Sequence, residues 1–170
     1  MASGKIILWD MVSSAVLKVV HDAHHLPIAS VRIWQRGIPM GVAAMDVGGK
    51  ITLLTFTKRL FVWSVDKKLL VDGKGGPVFE LAALASVSKA SMPLLAFSSR
   101  KDTFIVRLHP DPPRVLRQWP LNAGAESTAM PPQSDMGKFS VPCLAWEMAT
   151  CDAQKPPQAT LARGEGEQIE

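Results

Sequence analysis

One short element recurs along this chain and sets the frame for its fold. It reads Gly4-Lys5-Ile6-Ile7-Leu8, then Gly49-Lys50-Ile51-Thr52-Leu53, then Asp102-Thr103-Phe104-Ile105-Val106. The first two copies begin 45 residues apart, and the third begins 53 further on. A period of roughly 40 to 50 residues with about four short strands per unit is the pattern of a β-propeller, in which each small antiparallel sheet packs its two faces on neighbouring sheets. That arrangement explains apolar residues on both faces of the inner strands.

The intervening sequence fits strands separated by turn signals. Strands are expected at residues 5–9, 16–20, 29–34, 41–45, 51–56, 60–65 (which 67–71 extends or follows), 78–84, 93–98, 103–108, 115–119 and 140–148, with a further hairpin over 160–169. Asp46-Val47-Gly48-Gly49 and Asp72-Gly73-Lys74-Gly75-Gly76-Pro77 are strong breaks, because glycine reaches positive φ without a steric penalty. Thr57-Lys58-Arg59 and Ser99-Arg100-Lys101-Asp102 read as the turns of two hairpins. The Ala-rich stretch 78–91 partly fits a helical period, but its surroundings are all β, and it is read as a strand to about Ala85.

The units are then a partial blade at 4–22, a blade at 28–72, a blade at 76–121, a flexible loop at 122–139 rich in Ala, Ser, Pro and Gly, and an incomplete blade at 140–170. The fold class is all-β, a partial WD-repeat-like propeller of about three blades. Seven such blades need roughly 300 residues, so a chain of 170 residues is expected to be part of a larger ring.

Two elements narrow the propeller type. Trp9-Asp10 ends a strand, the WD position, and Asp22-Ala23-His24 precedes a strand by a few residues, where such repeats place Gly-His. In WD repeats a buried His, a turn Asp and a strand Trp form a hydrogen-bonded cluster. Here His24 and Asp46 fill the first two roles, while Leu54 and Thr55 stand at that unit's Trp-Asp positions. The structural cluster expected is therefore incomplete, and the repeat is degenerate.

Composition excludes several classes. Two cysteines, Cys143 and Cys151, cannot build a disulfide framework or a four-cysteine zinc site. The net charge of +4 comes from scattered pairs such as Lys58-Arg59 and Lys67-Lys68, with no basic run of five and no aromatic ladder. No nucleic-acid interface is expected, and weak attraction to an acidic membrane surface is the alternative. No apolar stretch reaches the 18 residues that a spanning helix needs, and the short apolar run after Met1 is no secretory core. A cytoplasmic protein with peripheral membrane contact is expected.

The order of these blocks resembles the propeller of the vacuolar protein sorting-associated protein 8 family. The resemblance is carried by Gly4-Lys5-Ile6-Ile7-Leu8-Trp9-Asp10 with Val16-Leu17-Lys18 and Asp22-Ala23-His24. It extends through Gly48-Gly49-Lys50-Ile51 with Leu54-Thr55-Phe56-Thr57-Lys58-Arg59. It ends with Ser140-Val141-Pro142-Cys143-Leu144-Ala145-Trp146, followed by Leu161-Ala162-Arg163-Gly164. The resemblance implies a subunit of the CORVET tethering complex on endosomal membranes. Its implied partners are the other tethering subunits and an early-endosomal Rab GTPase. The family's α-solenoid and zinc-binding RING-type regions have no counterpart in these residues.

Catalytic chemistry finds little support. His21 and His25 would share a face only on a helix, and Val19-Val20 and Pro27 oppose one, so no metal is expected. The glycine-rich turns lack Walker spacing. Cys143 sits in an apolar strand where packing is its role, and Cys151 has no neighbouring base. No serine has a nucleophile-elbow context. The five tryptophans are read as core by default, with an aromatic binding surface as the alternative for one or two of them. No cofactor and no enzyme activity are expected, and a propeller scaffold of another complex, a vesicle coat or a ubiquitin-ligase adaptor, is the alternative reading.

Overall fold

The computed structural model describes residues 4–74, 78–84, 93–99, 102–109, 111–120, 143–148 and 159–164. Among them every regular element is a strand. The first two strands, β1 (Gly4–Trp9) and β2 (Val16–His24), form an antiparallel pair. Four more, β3 (Ile28–Gln35), β4 (Met40–Asp46), β5 (Lys50–Arg59) and β6 (Val62–Asp72), make a meander in chain order. A second meander follows from β7 (Val78–Leu84), β8 (Leu94–Ser99), β9 (Asp102–Arg107) and β10 (Arg114–Pro120). Last come β11 (Cys143–Met148) and β12 (Ala159–Gly164), again an antiparallel pair.

Alternation along the central strands explains why the sheets stack. Successive side chains of a strand point to opposite faces. On β5, Ile51 and Leu53 enter one apolar cluster, while Leu54 and Phe56 enter another on the opposite face. On β4, Ala43 and Met45 divide from Val42 and Ala44 in the same way. The first cluster joins the two meanders through Trp34, Leu81, Leu95, Phe97 and Val106. The second joins the first meander to β2 through Val20 and Ala23. A third, smaller cluster sets Leu144 of β11 against Ala82 and Ala96. Sheets packed face to face in chain order, with the two meanders apolar on both sides, are the stacking that a propeller requires.

Several elements differ from the sequence reading. Strand β2 runs on to His24 instead of stopping near Val20, because Ala23 and His24 are buried under β1 and the first meander. Thr57-Lys58-Arg59 is not a turn. These residues continue β5 and pair with Ser64, Trp63 and Val62, and the chain reverses at Leu60 and Phe61 instead. Of the two readings of 67–71, extension holds: these residues continue the preceding strand as one strand, β6, with a register shift between the Ile51 and Thr52 rungs. Within 160–169 the described residues, 160–164, belong to β12, which pairs back onto β11, and 165–169 lie outside the described residues. The loop read at 122–139, the turn residues Arg100 and Lys101, and Cys151 lie outside the described residues.

The two glycines that open the first repeat copies serve different ends. Gly49 has φ 84°, so it supplies a left-handed turn residue between β4 and β5. At Gly4 the requirement is space, since a Cβ there would lie 2.5 Å from the His24 carbonyl oxygen.

Candidate functional site

The junction of β2, the β4–β5 turn and β1 is the most polar buried spot among the described residues. His24 ends β2 and Asp46 ends β4, and both are buried, at 3% and 2% exposure. The His24 ring places Nδ1 2.8 Å from Asp46 Oδ2, where the imidazole N–H donates to the carboxylate. The other carboxylate oxygen, Oδ1, accepts the backbone N–H groups of Gly48 at 2.9 Å and Lys50 at 3.0 Å. Asp46 thus closes the β4–β5 turn with one oxygen and holds β2 with the other. The bond to His24 is buried and therefore expensive to lose, while the two turn bonds are part-buried.

The cluster stops there. His24 Nε2 is buried with no hydrogen-bond partner among the described residues. A longer WD cluster would continue toward a tryptophan, but Leu54 occupies that position and is fully buried in the apolar cluster. The arrangement is a staple between strands. An open pocket of about 300 Å³, lined by His25, Leu26, Asp46, Lys50, Asp72 and Lys74 among others, lies beside it, and among the described residues no group of three His, Cys, Asp or Glu side chains could hold a metal ion.

Trp9 and Asp10 lie at the other end of β1, away from His24, because Gly4 is the residue that pairs with His24. Trp9 is 52% exposed. Asp10 folds its own loop instead: its Oδ2 accepts the Ser13 hydroxyl at 2.7 Å and its Oδ1 accepts the Val12 N–H at 2.9 Å. The Ser13 bond, then the Val12 N–H, with a smaller contribution from the nearby Lys58 charge, holds the Asp10 carboxyl below its ordinary value of 3.8. A depressed carboxylate stabilises the fold above that ordinary value and loses the contribution as pH falls through the lowered one. Ser13→Ala is therefore expected to move the Asp10 titration midpoint, read by carboxyl-carbon NMR, upward toward 3.8. An unchanged midpoint would contradict the assigned cause.

The tryptophans divide. Trp34 is buried and meets the His109 ring edge-on, with ring centroids 5.5 Å apart. Trp63 is half-buried beneath Lys58, and Trp9 and Trp119 are exposed, so these two depart from the default core role. Cys143 lies in β11, and the side chains of Cys143 and Trp146 fall outside the described residues. Sequence reasoning placed Val12 in a hairpin connection and Leu60-Phe61 in a strand, and missed that Met11-Val12 and Leu60-Phe61 form almost fully exposed apolar tips.

A stack of antiparallel sheets, with a His–Asp staple holding the first pair of strands to the first meander, defines a β-propeller protein of the WD-like class. The Vps8 beta-propeller family model matches residues 1–170, the whole chain, and the chain belongs to that family. Two curated relatives are similar along nearly all of it, the vacuolar protein sorting-associated protein 8 homologs of Mus musculus and Homo sapiens. Each is 26% identical over 170 residues, covering 96% of this chain. The match spans 11% of the length of each relative. No solved structure matches the chain.

Proposed function

We propose that this chain is a non-enzymatic protein-interaction scaffold, part of a CORVET-type subunit that tethers endosomal vesicles in transport to the vacuole or lysosome. The observation that carries this reading is the Vps8 beta-propeller match along the whole chain, together with sheets stacked on both faces. A propeller segment of this kind works by presenting sheet edges and connecting loops to other proteins, and its buried polar groups serve the fold. Its proposed partners are the other tethering subunits and an early-endosomal Rab GTPase, on the cytoplasmic side of the endosome membrane. The test is affinity purification of the tagged full-length protein from its own cells. Recovery of the other tethering subunits in stoichiometric amounts is the expected result. Recovery of vesicle-coat or ubiquitin-ligase subunits in their place would overturn it and favour another propeller scaffold.

A further inference from the structure

We infer that the end of the molecule formed by the β1–β2, β3–β4 and β5–β6 connections is a membrane-docking tip that inserts apolar side chains into an anionic lipid surface. Three turns meet at this end. The β5–β6 hairpin reverses at Leu60 and Phe61, which are 88% and 93% exposed. The β1–β2 loop carries Met11 and Val12, 89% and 95% exposed, and stands on the same side, since Ile6 and Leu8 of β1 pack against the same apolar cluster as Trp63 and Val65 of the hairpin. Ile38, in the β3–β4 connection, is exposed at the same end, because β4 begins there with Met40 opposite Phe56.

Local folding does not call for these residues. Leu60 has φ 55°, a left-handed conformation that favours Gly, Asn or Asp, and its exposure favours a polar side chain. Leucine meets neither demand. Met11 and Val12 occupy a turn already closed by Asp10 and Ser13, so their side chains contribute nothing to it. Grouped exposed apolar residues of this kind mark an interaction surface.

Shape and charge select a lipid surface as the occupant. Beyond the Met40–Phe56 pair the hairpin continues for three rungs, Thr57–Ser64, Lys58–Trp63 and Arg59–Val62. At about 3.3 Å per residue it projects on the order of 10 Å, a convex finger that matches the 5 to 10 Å depth at which apolar side chains sit in a bilayer interface. A groove, which a peptide or helix would need, is not formed by such a finger. One step behind the apolar tip stand Lys58 and Arg59, both exposed, with Arg36 exposed beside Ile38. Lys58 also lies over the half-buried Trp63 ring, 6.0 Å from its centroid. Apolar tips backed by cations are complementary to anionic headgroups over acyl chains. Of the nearby acids, Asp10 lies within the field of Lys58, and Asp66 is exposed opposite Thr55, two rungs behind the Thr57–Ser64 pair.

This inference deepens the tethering reading and rests on it for the biological membrane, but the lipid assay is independent of partner proteins. The full-length protein is mixed with vesicles of phosphatidylcholine alone or of phosphatidylcholine with phosphatidylserine, and sedimented. Binding is expected with phosphatidylserine, weakening as salt rises. L60E/F61E and K58E/R59E are each expected to lower the partition coefficient on the order of tenfold. Val47→Glu, at an exposed site in the β4–β5 turn at the opposite end, is expected to leave it unchanged. Amide exchange of the unmodified protein is expected to show vesicle-induced protection over residues 10–15 and 57–64, which keeps the test valid if a variant misfolds. No binding to phosphatidylserine vesicles, or no protection at these tips, overturns the inference, and tip variants that bind vesicles normally yet lose a protein partner reassign the surface to that protein. Loss of the tethering subunits in affinity purification with vesicle binding intact would count against the tethering reading alone.

Discussion

Asp46→Ala should cost about 3 to 5 kcal/mol of stability, the largest single loss expected from removing one polar side chain here. The substitution deletes the acceptor of three bonds at once. It leaves the buried Nδ1 of His24 and the Gly48 and Lys50 N–H groups without their partner. Each orphaned buried donor carries a penalty of roughly 1 to 3 kcal/mol, partly relieved if water enters the turn. Asp46→Asn should cost less, because its carbonyl oxygen can still accept from Gly48 and Lys50. His24→Ala leaves the turn closed and releases only the link to β2, so it should also fall below the alanine variant at Asp46. Urea midpoints of the full-length protein check this order. An Asp46→Ala variant as stable as the parent would show that the carboxylate is no staple.

Phe56→Ala should destabilise the fold by about 3 to 5 kcal/mol through a different route. Phe56 is 1% exposed and sits among Val20, Ala23, Val42, Ala44 and Leu54, the cluster that joins β2 to the first meander. Removing the ring takes away buried apolar area and leaves a cavity that flanking strands, fixed by their ladders, cannot close. The loss should be uneven along the chain. Amide exchange should quicken first in β1 and β2, which are held to the meander through this cluster and the His24–Asp46 bond. Uniform loosening across both meanders, or a loss below about 1 kcal/mol, would contradict the packing described.

Much of this architecture was legible because its causes are local or periodic. The recurring Gly-Lys-Ile element gave the spacing of the sheets, and Gly49 had to be a turn residue because only its positive φ closes β4 onto β5. The nearness of His24 and Asp46 followed from the repeat's geometry. What could not be read were features decided by long-range packing. The reversal at Leu60-Phe61 was hidden because both residues have strand preferences, and the three polar residues before them, which resemble a turn, are rungs of an extended hairpin. The extension of β2 to His24 depends on burial against strands distant in sequence. Gly4 appeared equivalent to Gly49, yet it is small to let β1 approach the His24 carbonyl. The exposure of Trp9 and Trp119 was equally invisible, since composition alone cannot separate an aromatic at a sheet edge from one in a core.

The most direct test of the proposed function is binding of the purified full-length protein to an early-endosomal Rab GTPase, measured by titration calorimetry in the GTP-loaded and GDP-loaded forms. Saturable binding to the GTP-loaded form, with at least tenfold weaker binding to the GDP-loaded form, or about 1.4 kcal/mol of discrimination, is the predicted result. Equal binding to both forms, or none by a sample that unfolds cooperatively in urea, would contradict it.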